Sequence, residues 1–160
     1  MKIRQIGIIH TPFKEQQGTP IQPKMGKGIS GTIEIFDEYI PAVKDLDGFS
    51  HIILLFYLHK SDGFNLEVVP YMDNKLRGLF ATRAPRRPSP IGLSTVRLIR
   101  VDGGTLYIED VDMLDGTPLL DIKPYVPAFD DVEKFRTGWL EDRASKISDK
   151  KDDGRFDNKR

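Results

Sequence analysis

Three arginines in a segment stiffened by Pro85, Pro88 and Pro90 are the residues of this sequence best suited to bind a charged group. Arg83, Arg86 and Arg87 lie in the segment 77–94, RGLFATRAPRRPSPIGLS. Each proline fixes its backbone φ angle and stiffens the chain. Guanidinium groups bind carboxylates and phosphates through paired hydrogen bonds. The segment therefore suggests an anion or phosphate site, with a rigid connection that carries solvated arginines as the alternative.

The charge of the chain is balanced overall but segregated along the sequence. There are 24 basic and 24 acidic residues, so the formal net charge is zero. Residues 74–101 nevertheless contain seven basic and no acidic residues, whereas residues 102–122 contain six acidic and no basic ones. Such segregation can create a local positive field on a neutral protein. The alternative is that these charges solvate the outer faces of strands.

The histidines and acids do not form a pattern that indicates a metal site. His51 and His59 would share one face of a strand, but eight strand residues span roughly 26 Å, too far for one ion. Asp110, Asp112 and Asp115 alternate with other residues in EDVDMLD. The flanking helices and the terminal glutamate of a calcium-binding loop are missing from this segment. We therefore expect no metal.

The elements that must position these side chains are predicted to be mainly β-strands. Alternating or continuous apolar residues predict strands at 3–9, 32–35, 51–58, 79–82, 95–101 and 106–109. Asp102, Gly103 and Gly104 predict a hairpin turn between the last two strands. Short strands separated by turn residues are typical of a barrel or a sandwich.

Beyond residue 130 the pattern changes, which divides the chain into a domain of residues 1–130, a helix and a tail. Apolar residues near helical spacing predict a short C-terminal helix over residues 131–147. Residues 148–160, SDKKDDGRFDNKR, have little apolar surface to bury. We therefore predict a flexible tail there.

The sequence lacks the usual signals of secretion and membrane insertion. No apolar run approaches the roughly 18 residues of a membrane span, and the first residues do not follow the pattern of a signal peptide. There are no cysteines, which excludes disulfides, thiolate catalysis and zinc–thiolate sites. We expect a cytoplasmic protein with no membrane partner.

Five sequence blocks, taken in order, resemble a known family. The blocks are IGIIHTPFKE near the start, PIQP at 20–23, LDGFSHI at 46–52, GLFATRAPRRPSPIGLS at 78–94 and LDGTPLLDIKPYVP at 114–127. Together they resemble the TsaA-like β-barrel family, whose bacterial members include the tRNA methyltransferase TrmO. The resemblance runs from about Ile3 to Asp130, which is nearly the whole of the 1–130 domain.

The resemblance implies a small, mainly antiparallel β-barrel rather than the Rossmann-like sheet of common methyltransferases. It implies a homodimer that binds S-adenosylmethionine and methylates the exocyclic nitrogen of threonylcarbamoyladenosine beside the tRNA anticodon. Carried over position by position, the residues implied to bind the cofactor are Pro20, Ile21, Gln22, His59, Lys60, Arg83, Leu93 and Asp112. The basic residues expected to contact tRNA phosphates are Arg86, Arg87 and Lys123.

The chemistry of the cofactor suggests roles for some of these residues. Arg83 could pair with the cofactor carboxylate, and Asp112 could accept hydrogen bonds from the ribose hydroxyls or the amino group. Leu93 could cover the adenine. A general base could take the proton from the acceptor nitrogen, and Asp112, Asp115 and Tyr125 are the candidates between which the sequence does not choose.

Two departures from the family pattern bear on function. Ser89 stands where the family block RPNPIG has asparagine, so a contact made by that amide would be lost. Bacterial members also carry an additional C-terminal domain, in place of which this sequence has the predicted helix and tail. If that domain holds tRNA, we expect this chain to bind RNA differently.

Two other functions stay open at this point. One is a regulatory module that binds S-adenosylmethionine without catalysis, and the other is a methyltransferase with a different substrate. Cofactor contacts serve all three functions, so the residues named here do not separate them.

Overall fold

A closed barrel of antiparallel strands forms the body of the protein. The computed structural model describes residues 2–21, 26–141 and 152–156. The strands are β1 (Gly7–His10), β2 (Ser30–Ile35), β3 (His51–Tyr57), β4 (Glu67–Val68), β5 (Arg77–Gly78), β6 (Ile91–Asp102), β7 (Thr105–Glu109) and β8 (Thr117–Pro124). The barrel order is β1-β2-β7-β6-β3-β8, and β8 pairs again with β1. The predicted mainly β, non-Rossmann barrel is thereby confirmed.

The remaining elements are short and lie between or after the barrel strands. β4 and β5 pair into a separate two-stranded sheet. The helical elements are α1 (Pro127–Asp130) and 3₁₀ turns at Asp37–Val43, Leu46–Gly48, Leu79–Ala81 and Gly138–Leu140. Within the part of the chain that the structure describes, none of these helices has the length and hydropathy that a membrane crossing requires.

The barrel interior explains why these segments are strands. In β3 burial alternates residue by residue, so that Ile52, Leu54 and Phe56 point inward. Ile33 of β2 and Ile108 of β7 join them in one apolar cluster. Burying an aliphatic side chain of this size contributes roughly 1.5–3 kcal/mol. The inward-facing apolar residues of these strands therefore form the core of the barrel.

The predicted hairpin is confirmed, whereas the strand predicted at 79–82 is wrong. β6 ends at Asp102 and β7 begins at Thr105. Gly103 in the turn has a φ of +55°, which glycine adopts without a steric penalty. Leu79–Ala81 instead forms a 3₁₀ turn, because Thr82 donates both its backbone N–H and its hydroxyl to the Leu79 carbonyl.

The helix predicted over residues 131–147 is wrong for its described part. Residues 131–137 are not helical, and only the 3₁₀ turn Gly138–Leu140 follows. Val132 and Phe135 remain 68% and 74% exposed, so no apolar stripe is buried to stabilise a helix. Residues 142–147 lie outside the described residues.

The tail predicted over residues 148–160 needs correction at residues 152–156. These residues pack against the body of the protein, and Phe156 is only 8% exposed. Phe156 joins a second apolar cluster with Leu79 and Ala84, so this segment does have something to bury. Residues 148–151 and 157–160 lie outside the described part of the chain.

Candidate functional site

A cavity of about 430 Å³ lies where the end of β3 meets the start of β6. Loops from several distant parts of the chain complete its wall: the segment before β2, the loop that precedes β6, and the segment between β7 and β8. The antiparallel pairing of β3 with β6 brings Tyr57 beside Ile91, so the loops attached to both strands converge at this end of the barrel.

Five of the residues implied to bind the cofactor line this cavity. They are Pro20, Ile21, Arg83, Leu93 and Asp112. The closed barrel brings together residues that are far apart in the sequence, which is the usual origin of a binding site on a barrel rim. A sixth residue of that set, Gln22, lies outside the described residues.

His59 and Lys60 lie next to the cavity rather than in its described wall. Both follow Leu58, which does line the cavity. His59 Nδ1 lies 3.4 Å from Thr117 Oγ1, and Lys60 Nζ donates to the Lys14 carbonyl at 2.7 Å. Burial, and then the positive charge of Lys60, lower the pKa of His59. Their contact with a cofactor stays a prediction.

Asp112 is the buried carboxyl of the cavity. Its Oδ1 accepts a hydrogen bond of 2.7 Å from Ser94 Oγ. Burial raises the pKa of Asp112 to about 7, although the Ser94 hydrogen bond and the charge of Arg83 act in the opposite direction. A carboxyl with this pKa changes its charge near neutrality, and a ligand that donates hydrogen bonds to it favours the ionised form.

Arg83 and Arg87 both line the cavity but have different surroundings. Arg87 Nη1 lies within hydrogen-bonding distance of the carbonyls of Leu79, Thr82 and Ala84, at 3.5, 3.0 and 3.3 Å. Arg87 therefore holds the shape of its own loop, while Arg83 brings a guanidinium to the cavity wall. The contact of Arg87 with RNA phosphates stays a prediction.

The other two residues expected to contact RNA occupy separate places on the surface. Arg86 Nε donates to the Asp62 carbonyl at 2.8 Å. Lys123 Nζ pairs with Asp121 at 2.8 Å. Lys123 lies opposite Ile53 near the start of β3, whereas the cavity lies at the end of that strand.

Of the three general-base candidates, Asp112 lines the cavity and the other two are engaged outside its described wall. Asp115 Oδ2 pairs with Lys14 Nζ at 2.5 Å, and this hydrogen bond lowers the pKa of Asp115. The Tyr125 hydroxyl donates to Asp131 Oδ1 at 2.9 Å, and this contact raises the pKa of Tyr125.

The cluster around His10 does not form a metal site. His10 lies 3.4 Å from Glu34 and 3.6 Å from Asp115, on the outside of the barrel. Asp115 is also paired with Lys14. In residues 2–21, 26–141 and 152–156, no three His, Asp or Glu side chains are grouped so that they could hold a metal ion.

The wall residues that were not predicted include Tyr71, Ser94 and Asp152. Ser94 closes the block GLFATRAPRRPSPIGLS, and its position in that block was a usable signal. Asp152 stands among lysines and aspartates that are typical of a solvated tail. Only the folded chain shows that it reaches the cavity.

Ser89, the departure from the family block, lies outside the described wall of the cavity. It lines a groove on the outer surface together with Tyr57 and Pro90. Its carbonyl accepts a hydrogen bond from the Ile91 N–H at 2.8 Å, an interaction that does not use the side chain.

A model of one protein family covers most of the barrel. The model described as the tRNA-methyltransferase O N-terminal domain matches residues 8–131. The match contains the five cofactor-site residues that line the cavity, whereas residues 152–156 follow it.

Relatives and solved structures agree with this match. A "Probable S-adenosyl-L-methionine-binding protein" of Pyrococcus abyssi is 55% identical over 153 residues, which are 96% of this chain and 83% of that protein. The tRNA (adenine(37)-N6)-methyltransferase of Mus musculus is 37% identical, over 81% of this chain and 32% of the mouse protein. The crystal structure of TrmO from Pseudomonas aeruginosa superimposes with a TM-score of 0.73 and 38% identity. That alignment covers 87% of this chain and 62% of the solved chain. The chain therefore matches less than two thirds of the length of the solved TrmO chain.

Proposed function

Because this chain belongs to the tRNA-methyltransferase O N-terminal domain family, we propose that it binds S-adenosylmethionine and transfers its methyl group to the exocyclic nitrogen of an adenosine in tRNA. The acceptor we propose is threonylcarbamoyladenosine beside the anticodon. The observation that carries this proposal is the cavity that brings together Pro20, Ile21, Arg83, Leu93 and Asp112.

The cavity has the size and the wall chemistry that this cofactor requires. Its volume of about 430 Å³ falls within the roughly 300–1,000 Å³ of small-molecule sites. In this proposal Arg83 pairs with the carboxylate of the methionine end. Asp112 accepts hydrogen bonds from the ribose hydroxyls, and Leu93 and Pro20 cover the adenine.

The sulfonium supplies an activated methyl group, so the residues of the protein mainly bind, orient and exclude water. Arg83 and Asp112 hold different parts of the cofactor, and Ser94 orients the Asp112 carboxyl through its hydrogen bond. Phe56 and Met113, which are 5% and 4% exposed, form apolar parts of the wall that keep water away. Gln22, His59 and Lys60 complete the proposed cofactor set.

The proposed tRNA contacts are basic residues near the cavity and on β8. Arg86, Arg87 and Lys123 would neutralise phosphates, so tRNA binding should weaken as the salt concentration rises. The anticodon loop is single-stranded, and its bases can be presented to a protein at little energetic cost. We also propose that the protein acts in the cytoplasm.

We propose that two copies of the chain associate through the outer face of β3 and β6. Tyr57, Ile91 and Leu93 are 41%, 37% and 54% exposed there, and contiguous apolar surface of this kind commonly marks an interface. Leu93 also lines the cavity, so a partner on this face would border the cofactor. Sedimentation equilibrium tests this by measuring whether the particle has twice the 18.2 kDa mass of the chain.

Replacing Ser89 with asparagine, the residue of the family block, is expected to change the affinity for S-adenosylmethionine by less than about twofold, because surface changes that touch no binding group have small effects. The side chain faces the outer groove rather than the described cavity wall. Isothermal titration calorimetry of the two proteins measures this. A tenfold difference would show that position 89 acts on the cofactor site.

The experiment that tests the proposed activity uses unmodified and threonylcarbamoylated anticodon stem-loops with methyl-labelled S-adenosylmethionine. Label recovered on the exocyclic nitrogen of the modified adenosine, identified by mass spectrometry of the nucleosides, supports the whole proposal. Label on RNA at another position would refute the proposed acceptor while keeping the methyltransferase.

A second candidate function is cofactor binding without catalysis. The observation that favours it is the naming of archaeal relatives, such as the S-adenosyl-L-methionine-binding protein of Archaeoglobus fulgidus, which is 39% identical over 84% of this chain. In the labelling experiment this candidate predicts bound cofactor and no transfer to any RNA. Transfer to a small molecule or a protein instead would identify a methyltransferase with a different substrate.

A further inference from the structure

Residues 152–156, which we name the return segment, pack on the loops beside the cavity. The ring of Phe156 meets Tyr71 edge to face, with centroids 5.1 Å apart and planes at 90°. Phe156 is 8% exposed and shares an apolar cluster with Leu79 and Ala84. A buried aromatic ring of this kind anchors the chain that carries it.

Two backbone hydrogen bonds join the return segment to the loop before β2 that carries Pro20 and Ile21. The Gly18 N–H donates to the Asp152 carbonyl at 2.8 Å, and the Asp152 N–H donates to the Thr19 carbonyl at 3.0 Å. Asp152 is thus held by two neighbouring residues of that loop. These bonds place Asp152 near Pro20, which lines the same cavity.

Arg155 provides a third attachment. Its Nη1 donates to the Pro70 carbonyl at 2.7 Å, and its guanidinium carbon lies 5.1 Å from the centroid of the Tyr71 ring. The Asp153 carboxylate pairs with Arg155 at 2.6 Å on the outer side. The return segment is thus attached at Asp152 and, further along, at Arg155 and Phe156. Asp152 forms part of the cavity wall.

Asp152 is one of two acidic residues in the described cavity wall. S-adenosylmethionine carries two positive groups, the sulfonium and the α-ammonium, and one carboxylate. The described wall contains two basic residues, Arg83 and Arg87, and two acidic residues, Asp112 and Asp152. If Arg83 pairs with the carboxylate, each positive group requires negative charge nearby, because a cation in a closed site is costly unless it is paired. In the proposed site Asp112 accepts hydrogen bonds from the ribose. Asp152, whose Oδ1 also accepts a hydrogen bond from the Gly154 N–H at 2.7 Å, is the other acid of the described wall.

We propose that Asp152 is a cofactor-binding residue, whose carboxylate pairs with the α-ammonium group at the methionine end of S-adenosylmethionine. The proposal rests on the proposed binding of that cofactor. Residues 152–156 lie beyond the matched region 8–131. The charge partner is therefore supplied by a part of this chain that the family model does not cover, and the return segment is the element that delivers it.

Asp152→Asn is the variant that tests the proposal, because it removes the charge and keeps the size of the side chain. We expect its affinity for S-adenosylmethionine to fall by about tenfold or more, the usual loss for a charge-assisted hydrogen bond. Affinity for 5′-methylthioadenosine, which has the adenine and ribose but no charged methionine end, should change by less than about twofold. Calorimetric titration with both ligands measures the difference.

Asp153→Asn is the matched control, because Asp153 is the neighbouring acid and its side chain is 50% exposed beside Arg155. It should bind both ligands as the unchanged protein does. Asp152→Glu, which keeps the charge, should retain the preference for S-adenosylmethionine over the uncharged ligand.

The outcomes separate this inference from the function on which it rests. If Asp152→Asn weakens both ligands equally, Asp152 only holds the loop and the inference is overturned. Unchanged binding of S-adenosylmethionine by Asp152→Asn also overturns it. Failure of the unchanged protein to bind S-adenosylmethionine at all would instead overturn the proposed function.

Discussion

Replacing Asp112 with asparagine is expected to weaken S-adenosylmethionine binding by roughly 10- to 100-fold at pH 8, the usual range for a hydrogen bond to a charged group. Asp112 is buried in the cavity wall and already receives one hydrogen bond, from Ser94. Asparagine keeps the size and one acceptor oxygen but loses the charge that strengthens hydrogen bonds from the ribose. Calorimetric titration of both proteins measures the loss.

The pH dependence of binding gives the same prediction a second readout. Burial raises the pKa of Asp112 to about 7 in the empty protein. Cofactor hydroxyls donate to the ionised carboxylate, so affinity should rise as the pH increases through 7 and level off above it. In Asp112→Asn this rise should disappear, because the side chain no longer titrates.

The stability of the protein without cofactor should fall as the pH rises, whereas the affinity for the cofactor should increase. A carboxyl whose pKa is higher in the folded than in the unfolded state binds its proton more tightly when folded, so stability falls as the pH rises from about 4 towards 7. Asp112 has such a raised pKa. Asp112→Asn should therefore melt at a temperature equal to or above that of the unchanged protein at pH 8.

The matched control for Asp112 is Asp115→Asn. Asp115 comes from the same acidic stretch but pairs with Lys14 outside the described cavity wall. We expect this variant to bind S-adenosylmethionine normally at every pH. Equal losses in the two variants, or a pH-independent affinity of the unchanged protein, would contradict the assignment of Asp112.

Replacing Arg83 with alanine is the second change for which we expect a large effect. Arg83 presents a guanidinium to the cavity, and losing a charge-assisted pair with the cofactor carboxylate should weaken binding by roughly 10- to 100-fold. The melting temperature of the empty protein should stay nearly unchanged. Unaltered affinity in calorimetry would remove Arg83 from the site.

Arg87→Ala is the variant to compare, because Arg87 lies in the same loop as Arg83 and its hydrogen bonds stabilise that loop. Arg87 Nη1 lies near three loop carbonyls, those of Leu79, Thr82 and Ala84. Removing Arg87 takes a donor from the Thr82 and Ala84 carbonyls, which costs about 1–3 kcal/mol where they are buried. The melting temperature should therefore fall in Arg87→Ala, whereas the affinity for S-adenosylmethionine should fall in Arg83→Ala.

The strands could be predicted from the sequence, whereas the choice of a barrel over a sandwich came from the resemblance. The continuous apolar run HIILLFYL predicted a strand, and β3 buries Ile52, Leu54 and Phe56 on its inner face. The hairpin at Gly103 was predictable for a similar reason, since a turn with positive φ favours glycine. Four of the five cofactor residues that line the cavity lie in the sequence blocks, and Asp112 lies just before the last block. The cavity that they share is formed only when the chain folds.

The C-terminal region could not be predicted, because its structure depends on contacts rather than on local pattern. Val132 and Phe135 have helical spacing but find nothing to pack against within the described part of the chain. Phe156 is a single apolar residue in a charged stretch, and its docking site is assembled from Leu79 and Ala84. A single buried residue of this kind produces no periodic apolar pattern in the sequence.

A crystal structure of the protein with S-adenosylmethionine tests the central claim most directly. We expect the cofactor to occupy the cavity of about 430 Å³, with its carboxylate at Arg83, its ribose at Asp112 and its adenine against Leu93. Cofactor bound elsewhere, for example in the outer groove lined by Tyr57 and Ser89, would contradict the account.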